Sequence, residues 1–255
     1  MTSKQKLFTT ALGLALFATA HLGVARAEDD KAKPAPKADP KAYELLKKAF
    51  EARQTIPDDF PGFDAEVAYQ EGNKTATGTI QYRHLKKSTV EITGLPEEDL
   101  KWVKRQVISI ITHRNSGDFN DSEGKFPLRF AKSEETEFGT LVEYDDPEKL
   151  TSRVKDNVSM ELTRTAGEKR FFISVLENTP CDPGKVIPTR YLVSYFDPKT
   201  RELQMVNVFE NSYAKFDKYW LPTSRKVVTI DHVLGDGLRV RNFQFKNIKL
   251  VGKDQ

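Results

Sequence analysis

Cysteine is almost missing from this chain. The 255 residues include one Cys, 3 Met, 2 Trp and 4 His. A lone cysteine excludes an internal disulfide, so the fold must be held by packing alone. Cys181 stands in Asn178-Thr179-Pro180-Cys181-Asp182-Pro183-Gly184. With no neighbouring His to activate it, the thiol reads as an incidental loop residue rather than a nucleophile or an intermolecular bridge. Beyond the first 27 residues the histidines are His84, His113 and His232. None belongs to HExxH and no two share a helical face, which argues against zinc or iron. The G-x-S-x-G elbow, the P-loop and G-x-G-x-x-G are all lacking. Asp58-Asp59 and Asp145-Asp146 adjoin prolines. They read as solvated acidic turns, not as a glycosidase pair or a calcium site. Neither catalytic residues nor a metal nor a cofactor is expected.

No charge of one sign dominates. Lys4 and Lys6 precede Leu7–Ala20, a stretch without charge, which leads to Val24-Ala25-Arg26-Ala27. A basic start, a short apolar segment and an A-x-A exit are the pattern of a cleaved secretory signal peptide ending at residue 27. The apolar segment is shorter than the roughly 20 residues of a spanning helix. Cleavage would remove Lys4, Lys6 and Arg26 but no acid, bringing the 40 Lys+Arg level with the 37 Asp+Glu. A neutral domain has no electrostatic case for nucleic acid. The expected product is periplasmic or secreted and does not span a membrane. Residues 28–39 (EDDKAKPAPKAD) read as a disordered linker, and 40–252 as one domain.

Period and punctuation then give the elements. Asp39 is a good N-cap and Pro40 suits the first helical position. Tyr43, Leu46, Ala49 and Phe50 follow at helical spacing, predicting a helix over about 40–54. Pro96 with Glu97, Glu98 and Asp99 opens a second. Its stripe of Leu100, Val103, Val107, Ile110 and Ile111, widened by Trp102 and Ile108, is unusually broad. His113-Arg114-Asn115 closes it. The rest alternates with period two between turn signals such as Asp197-Pro198-Lys199-Thr200 and Gly235-Asp236-Gly237. The fold class expected is mostly β (α+β). It is a curved antiparallel sheet or partly open barrel of about ten strands with two helices, helix 2 packed on the concave face.

Two polar features stand out. His113-Arg114 either caps the helix end or meets an anionic group at the sheet rim. Arg190, among apolar strand neighbours, is either a satisfied interior Arg or a ligand contact. If the concave face holds a cavity, the candidate ligand-binding residues are Phe63, Tyr82, Trp102, Val107, Ile111, His113, Arg114 and Arg190.

Several segments resemble a known family in the same order. They are Ala49-Phe50-Glu51-Ala52-Arg53, Phe60-Pro61-Gly62-Phe63-Asp64-Ala65, Val90-Glu91-Ile92-Thr93-Gly94, Ile111-Thr112-His113-Arg114, Ser194-Tyr195-Phe196-Asp197-Pro198-Lys199-Thr200 and Phe245-Lys246-Asn247-Ile248-Lys249-Leu250. Together they resemble the DUF3386 family over about 45–250, a family with no established activity to carry over. Tyr219-Trp220-Leu221-Pro222-Thr223 before a strand gives a looser likeness to the LolA and LolB lipoprotein carriers. That likeness implies an open barrel, covered by helices, that holds acyl chains. The expectation is therefore an exported, non-catalytic binder or carrier of a hydrophobic molecule, a lipid or a lipoprotein. The alternatives are an envelope assembly factor with a protein partner, and an enzyme built on His113, Arg114 and a carboxylate.

Overall fold

The computed structural model describes residues 38–83, 88–132, 135–166, 169–233, 235 and 237–252. The expected signal peptide and all but the end of the expected linker lie outside the described residues. Asp39 caps the first helix, α1 (Pro40–Glu51), by accepting from the Lys41 and Ala42 amides. Three strands follow: β1 (Phe63–Glu71), β2 (Lys74–Tyr82) and β3 (Thr89–Thr93). Helix α2 (Glu97–Thr112) interrupts them, with Glu97, Glu98 and Asp99 in its first turn. A meander then runs through β4 (Leu128–Phe130), β5 (Thr140–Tyr144), β6 (Thr151–Lys155), β7 (Val158–Ala166) and β8 (Lys169–Pro180). It continues through β9 (Val186–Phe196), β10 (Leu203–Phe216), β11 (Tyr219–Asp231) and β12 (Leu238–Leu250).

All pairings are antiparallel and form one curved sheet of 12 strands, open at both edges, in the order β3-β2-β1-β12-β11-β10-β9-β8-β7-β6-β5-β4. The first and last strands are neighbours, Phe63 lying opposite Leu250. The expected fold class therefore holds, with two strands more than the pattern suggested.

Both helices cover the same face. Helix α2 lies along the half of the sheet that ends at β3 and inserts Val103, Val107, Ile110 and Ile111 among Phe63, Val67, Ile80, Val227 and Phe243. Each such side chain contributes about 1.5–3 kcal/mol by leaving water. Helix α1 packs at the other end, placing Ala42, Leu46 and Ala49 against Phe119, Leu128, Val142 and Val154. A small residue is needed where β2 and β3 meet. A Cβ on Gly78 would lie 1.9 Å from the Glu91 carbonyl oxygen.

The outer face is divided. Near the β9–β10 and β11–β12 turns, Phe172, Leu203, Ile230 and Leu238 are exposed. Toward the other end Glu177, Arg190, Glu210 and Lys226 form a cross-strand ladder of alternating charge. No helix among the described residues is long and apolar enough to cross a membrane.

Candidate functional site

The strand register decides which side chains of β8–β10 share the inner face. Phe171 is opposite Tyr195, Ile173 opposite Val193, Tyr195 opposite Met205, and Tyr191 opposite Phe209. Directly opposed residues of an antiparallel pair lie on one face. Leu162 of β7, opposite Ile173, continues the strip. Val193 and Phe209 are buried, whereas Phe171, Ile173, Tyr191 and Tyr195 are only partly covered. Tyr191 stacks on Phe209 at 4.8 Å, and the Phe171 and Tyr195 rings are 5.8 Å apart.

The main contacts of both helices fall on other strands. Helix α1 packs on β4, β6 and β7, and α2 on β3 and β11. What lies between the helices is a partly covered apolar strip across β8–β10, called the trough below.

The segment after α1 closes one end. The Gln54 amide donates to the Val186 carbonyl at the start of β9, and the Ser116 amide to the Ile56 carbonyl. Chain 52–56 thus bridges β9 to the C-terminal end of α2. There the Arg114 side chain turns away from its own helix. Its Nε donates to the Gln54 carbonyl at 3.3 Å and its Nη1 to the Trp220 carbonyl at 2.8 Å. It ties the closing segment to β11, so it does not act as a helix cap.

Beside it, Arg225 of β11 points inward and is only 2% exposed. Its Nε donates to Asn211 Oδ1 at 3.0 Å and its Nη2 to the Tyr191 hydroxyl at 3.0 Å. Its Nη1 reaches Ser109 Oγ at 2.8 Å and the Gln106 carbonyl at 3.0 Å. The Arg114 guanidinium lies over the Tyr213 ring at 4.9 Å, and that of Arg225 over the Phe209 ring at 5.1 Å.

These surroundings hold the titratable groups in their neutral forms. Burial, with the Arg225 charge adding to it, pushes the His113 imidazole down to about 4. His113 keeps an exposed surface, so water tempers that desolvation. The direction stands, and the ring is neutral at pH 7. Burial raises Tyr195, and pushes Tyr213 up to about 12 against the opposing pull of Arg114 and Arg225.

The α1 bank carries charge of both signs. Arg53 and Arg164 both pair with Glu123, at 3.2 and 3.6 Å, and the Tyr144 hydroxyl donates to the same carboxylate.

The residues singled out in the sequence fall in three places. Phe63, Tyr82, Val107 and Ile111 are buried in the packing between α2 and the sheet. Phe63 and Tyr82 stack at 5.8 Å. Trp102, His113 and Arg114 belong to α2 and the turn after it. Trp102 packs on Phe243 at 6.0 Å beneath the Arg241 guanidinium. Arg190 is on the outer face, ion-paired with Glu177 and Glu210 at 3.4 and 3.9 Å. It borders a polar depression of about 380 Å³ whose lining also includes Asn211 and Arg225. Sequence reading passed over Arg225, although it shares parity with the inward Val227 and Thr229. Burial raises the Cys181 thiol, consistent with an unactivated group. Among the described residues, no three His, Cys, Asp or Glu side chains are grouped to hold a metal.

Comparison with known proteins adds a family and a set of distant folds. The chain is similar to an assigned outer membrane lipoprotein-sorting protein domain from Vibrio parahaemolyticus, with 10% identity, 84% of this chain and 95% of that one covered, and a TM-score of 0.35. It is similar to a DUF1329 family protein from Desulfovibrio piger at 12% identity, 86% and 95% coverage and a TM-score of 0.29. The Pseudomonas aeruginosa MucA/MucB complex gives 10% identity, 83% and 99% coverage and a TM-score of 0.18. Scores this low transfer no function. No curated protein matches the sequence. The family model for DUF3386, a protein of unknown function, matches residues 37–251. The chain, with its twelve-stranded sheet and its two helices on one face, belongs to the DUF3386 family.

Proposed function

We propose that this protein is an exported, non-catalytic binder or carrier of a hydrophobic ligand, a lipid or the acyl part of a lipoprotein, held on the inner face of its sheet. One observation carries the reading. Phe171, Ile173, Tyr191 and Tyr195 form a continuous apolar strip that is only partly buried and lies outside the main contacts of both helices. A concave apolar surface with a few polar groups at one end is the usual build of a small-molecule site. The ligand lies beside α2 and not beneath it, since Val107, Ile111, Phe63 and Tyr82 already fill that space. In this reading those four stiffen the wall, while Trp102 and His113 stand on the bank. Export rests on the N-terminal signal pattern.

The test is native mass spectrometry of the protein recovered from a bacterial envelope, with displacement of N-phenyl-1-naphthylamine by acyl compounds. The expected result is a bound lipid mass and saturable displacement that Ile173→Asp weakens at least about tenfold. A ligand-free protein that binds no probe overturns the reading. A co-purifying protein without lipid would favour the envelope-assembly alternative instead.

A further inference from the structure

We infer that the closed end of the trough is an oxyanion site, recognising a carboxylate or phosphate through Arg114, Arg225 and the hydroxyl of Tyr191. As a headgroup site it rests on the hydrophobic-ligand reading above. As an anion site it stands on its own geometry.

A buried guanidinium ordinarily faces a carboxylate, because isolated charge is costly to bury. This protein follows the rule elsewhere. Buried Arg241 closes on Glu71 at 3.0 Å, and Arg164 shares Glu123 with Arg53. Arg114 and Arg225 break it. They are 8% and 2% exposed, and among the described residues neither has a carboxylate within ion-pair distance. Arg225 is surrounded by neutral acceptors: two side-chain amides, two hydroxyls and a carbonyl. Both charges are felt at the Tyr213 hydroxyl, and that of Arg225 also at His113. The trough therefore ends in two like charges with no counter-charge.

The donors there are also in excess. Arg114 Nη2 is buried without an acceptor. Asn211 Nδ2 comes near the Tyr213 hydroxyl but completes no hydrogen bond. Its amide orientation is fixed, because Oδ1 must accept from Arg225 Nε. The Tyr191 hydroxyl accepts from Arg225 Nη2, which leaves its own proton free on a side chain that borders the trough. Unsatisfied buried donors in a native protein call for a partner. Arg114 Nη2 and Asn211 Nδ2 are vacant donors, Gln54 Oε1 on the closing segment is a vacant neutral acceptor, and both fixed charges are positive. The missing partner is an acceptor with negative charge. Charge-assisted bonds from arginine to carboxylate or phosphate oxygens are the strong form of such contacts.

The experiment uses the full mature chain and compounds of one chain length: dodecanoate, dodecyl phosphate, dodecanol and dodecyltrimethylammonium. Each is titrated against bound N-phenyl-1-naphthylamine. Inorganic phosphate and acetate are added separately while the midpoint of thermal unfolding is followed. The anionic amphiphiles are expected to bind at least about tenfold more tightly than the alcohol, with the cation weakest. Arg225→Gln and Arg114→Gln should bring that ratio close to one while dodecanol affinity is kept. Since the ratio is read first on the unaltered protein, a variant that fails to fold does not remove the test.

Equal binding of anion and alcohol overturns the oxyanion site and leaves the carrier reading intact. Stabilisation by inorganic phosphate, with no chain displacing the probe, supports the anion site and ends the carrier reading. Failure of every compound, phosphate and acetate included, overturns both.

Discussion

Nη1 of Arg225 and Oγ of Ser109 meet at 2.8 Å, joining the eleventh strand to the second helix across the inner face. Ser109 is buried and its hydroxyl donates in turn to the Gln106 carbonyl. Ser109→Ala therefore removes one of the few acceptors around an unneutralised guanidinium. A loss of about 1–2 kcal/mol is expected in urea-induced unfolding. A change below the error of the extrapolation would mean that the contact is replaced by water.

Two isoleucines distinguish packed core from open trough. Ile111 is fully buried beneath α2, so Ile111→Ala should cost about 2–5 kcal/mol. Ile173 is only partly covered, and Ile173→Ala should cost about 1 kcal/mol or less while weakening binding of the apolar probe. The reverse order in equilibrium unfolding would place the unfilled space under the helix after all.

Gly78 fixes the approach of β2 to β3. With a Cβ only 1.9 Å from the Glu91 carbonyl oxygen, Gly78→Ala must push the edge strand away, at a cost of about 2–3 kcal/mol. Amide exchange in Thr89–Thr93 should rise more than in β9. Uniform exchange across both strands would show that the sheet yields as a whole.

Acid should weaken the fold in part through His113. Its folded-state pKa, about 4, lies below the ordinary 6.5. The unfolded chain therefore takes up the proton first, and stability falls as pH drops from about 6.5 toward about 4, with no further loss below. His113→Gln lacks this contribution, and its unfolding midpoint should fall less between pH 7 and 4.5. Parallel curves for the two proteins would exclude the effect.

Arg190 should matter little. It is an exposed member of a charge ladder on the far face. Arg190→Ala is expected to change stability by at most about 1 kcal/mol and to leave probe binding unaltered. Lost binding would move the site to the outer depression.

The sequence disclosed much of this and concealed some for definite reasons. The α2 stripe was legible because five apolar residues at helical spacing admit no other structure, and Asp39-Pro40 marked the start of α1 correctly. Strand β6 was invisible, since Thr151–Lys155 (TSRVK) offers one apolar side chain and its other inward residue, Ser152, is a buried hydroxyl. Strands β10 and β11 run further toward the turn they share than the pattern implied, where a register shift at Ser212/Tyr213 breaks the alternation beside the buried Asn211 and Arg225. Arg225 was lost in the same way. The position of the trough was not local information at all. It depends on α1 crossing to the β4 end of the sheet, which only the strand order reveals.

That strand order has a consequence for how the molecule is made. Within the sheet, the β1–β2–β3 array is hydrogen-bonded to the other strands through β12, which lies far from it along the chain. On a chain that emerges with its N-terminus leading, the β12 edge of β1 stays unpaired until β12 has followed. That pairing spans most of the domain's length, and long-range closure of this kind is slow.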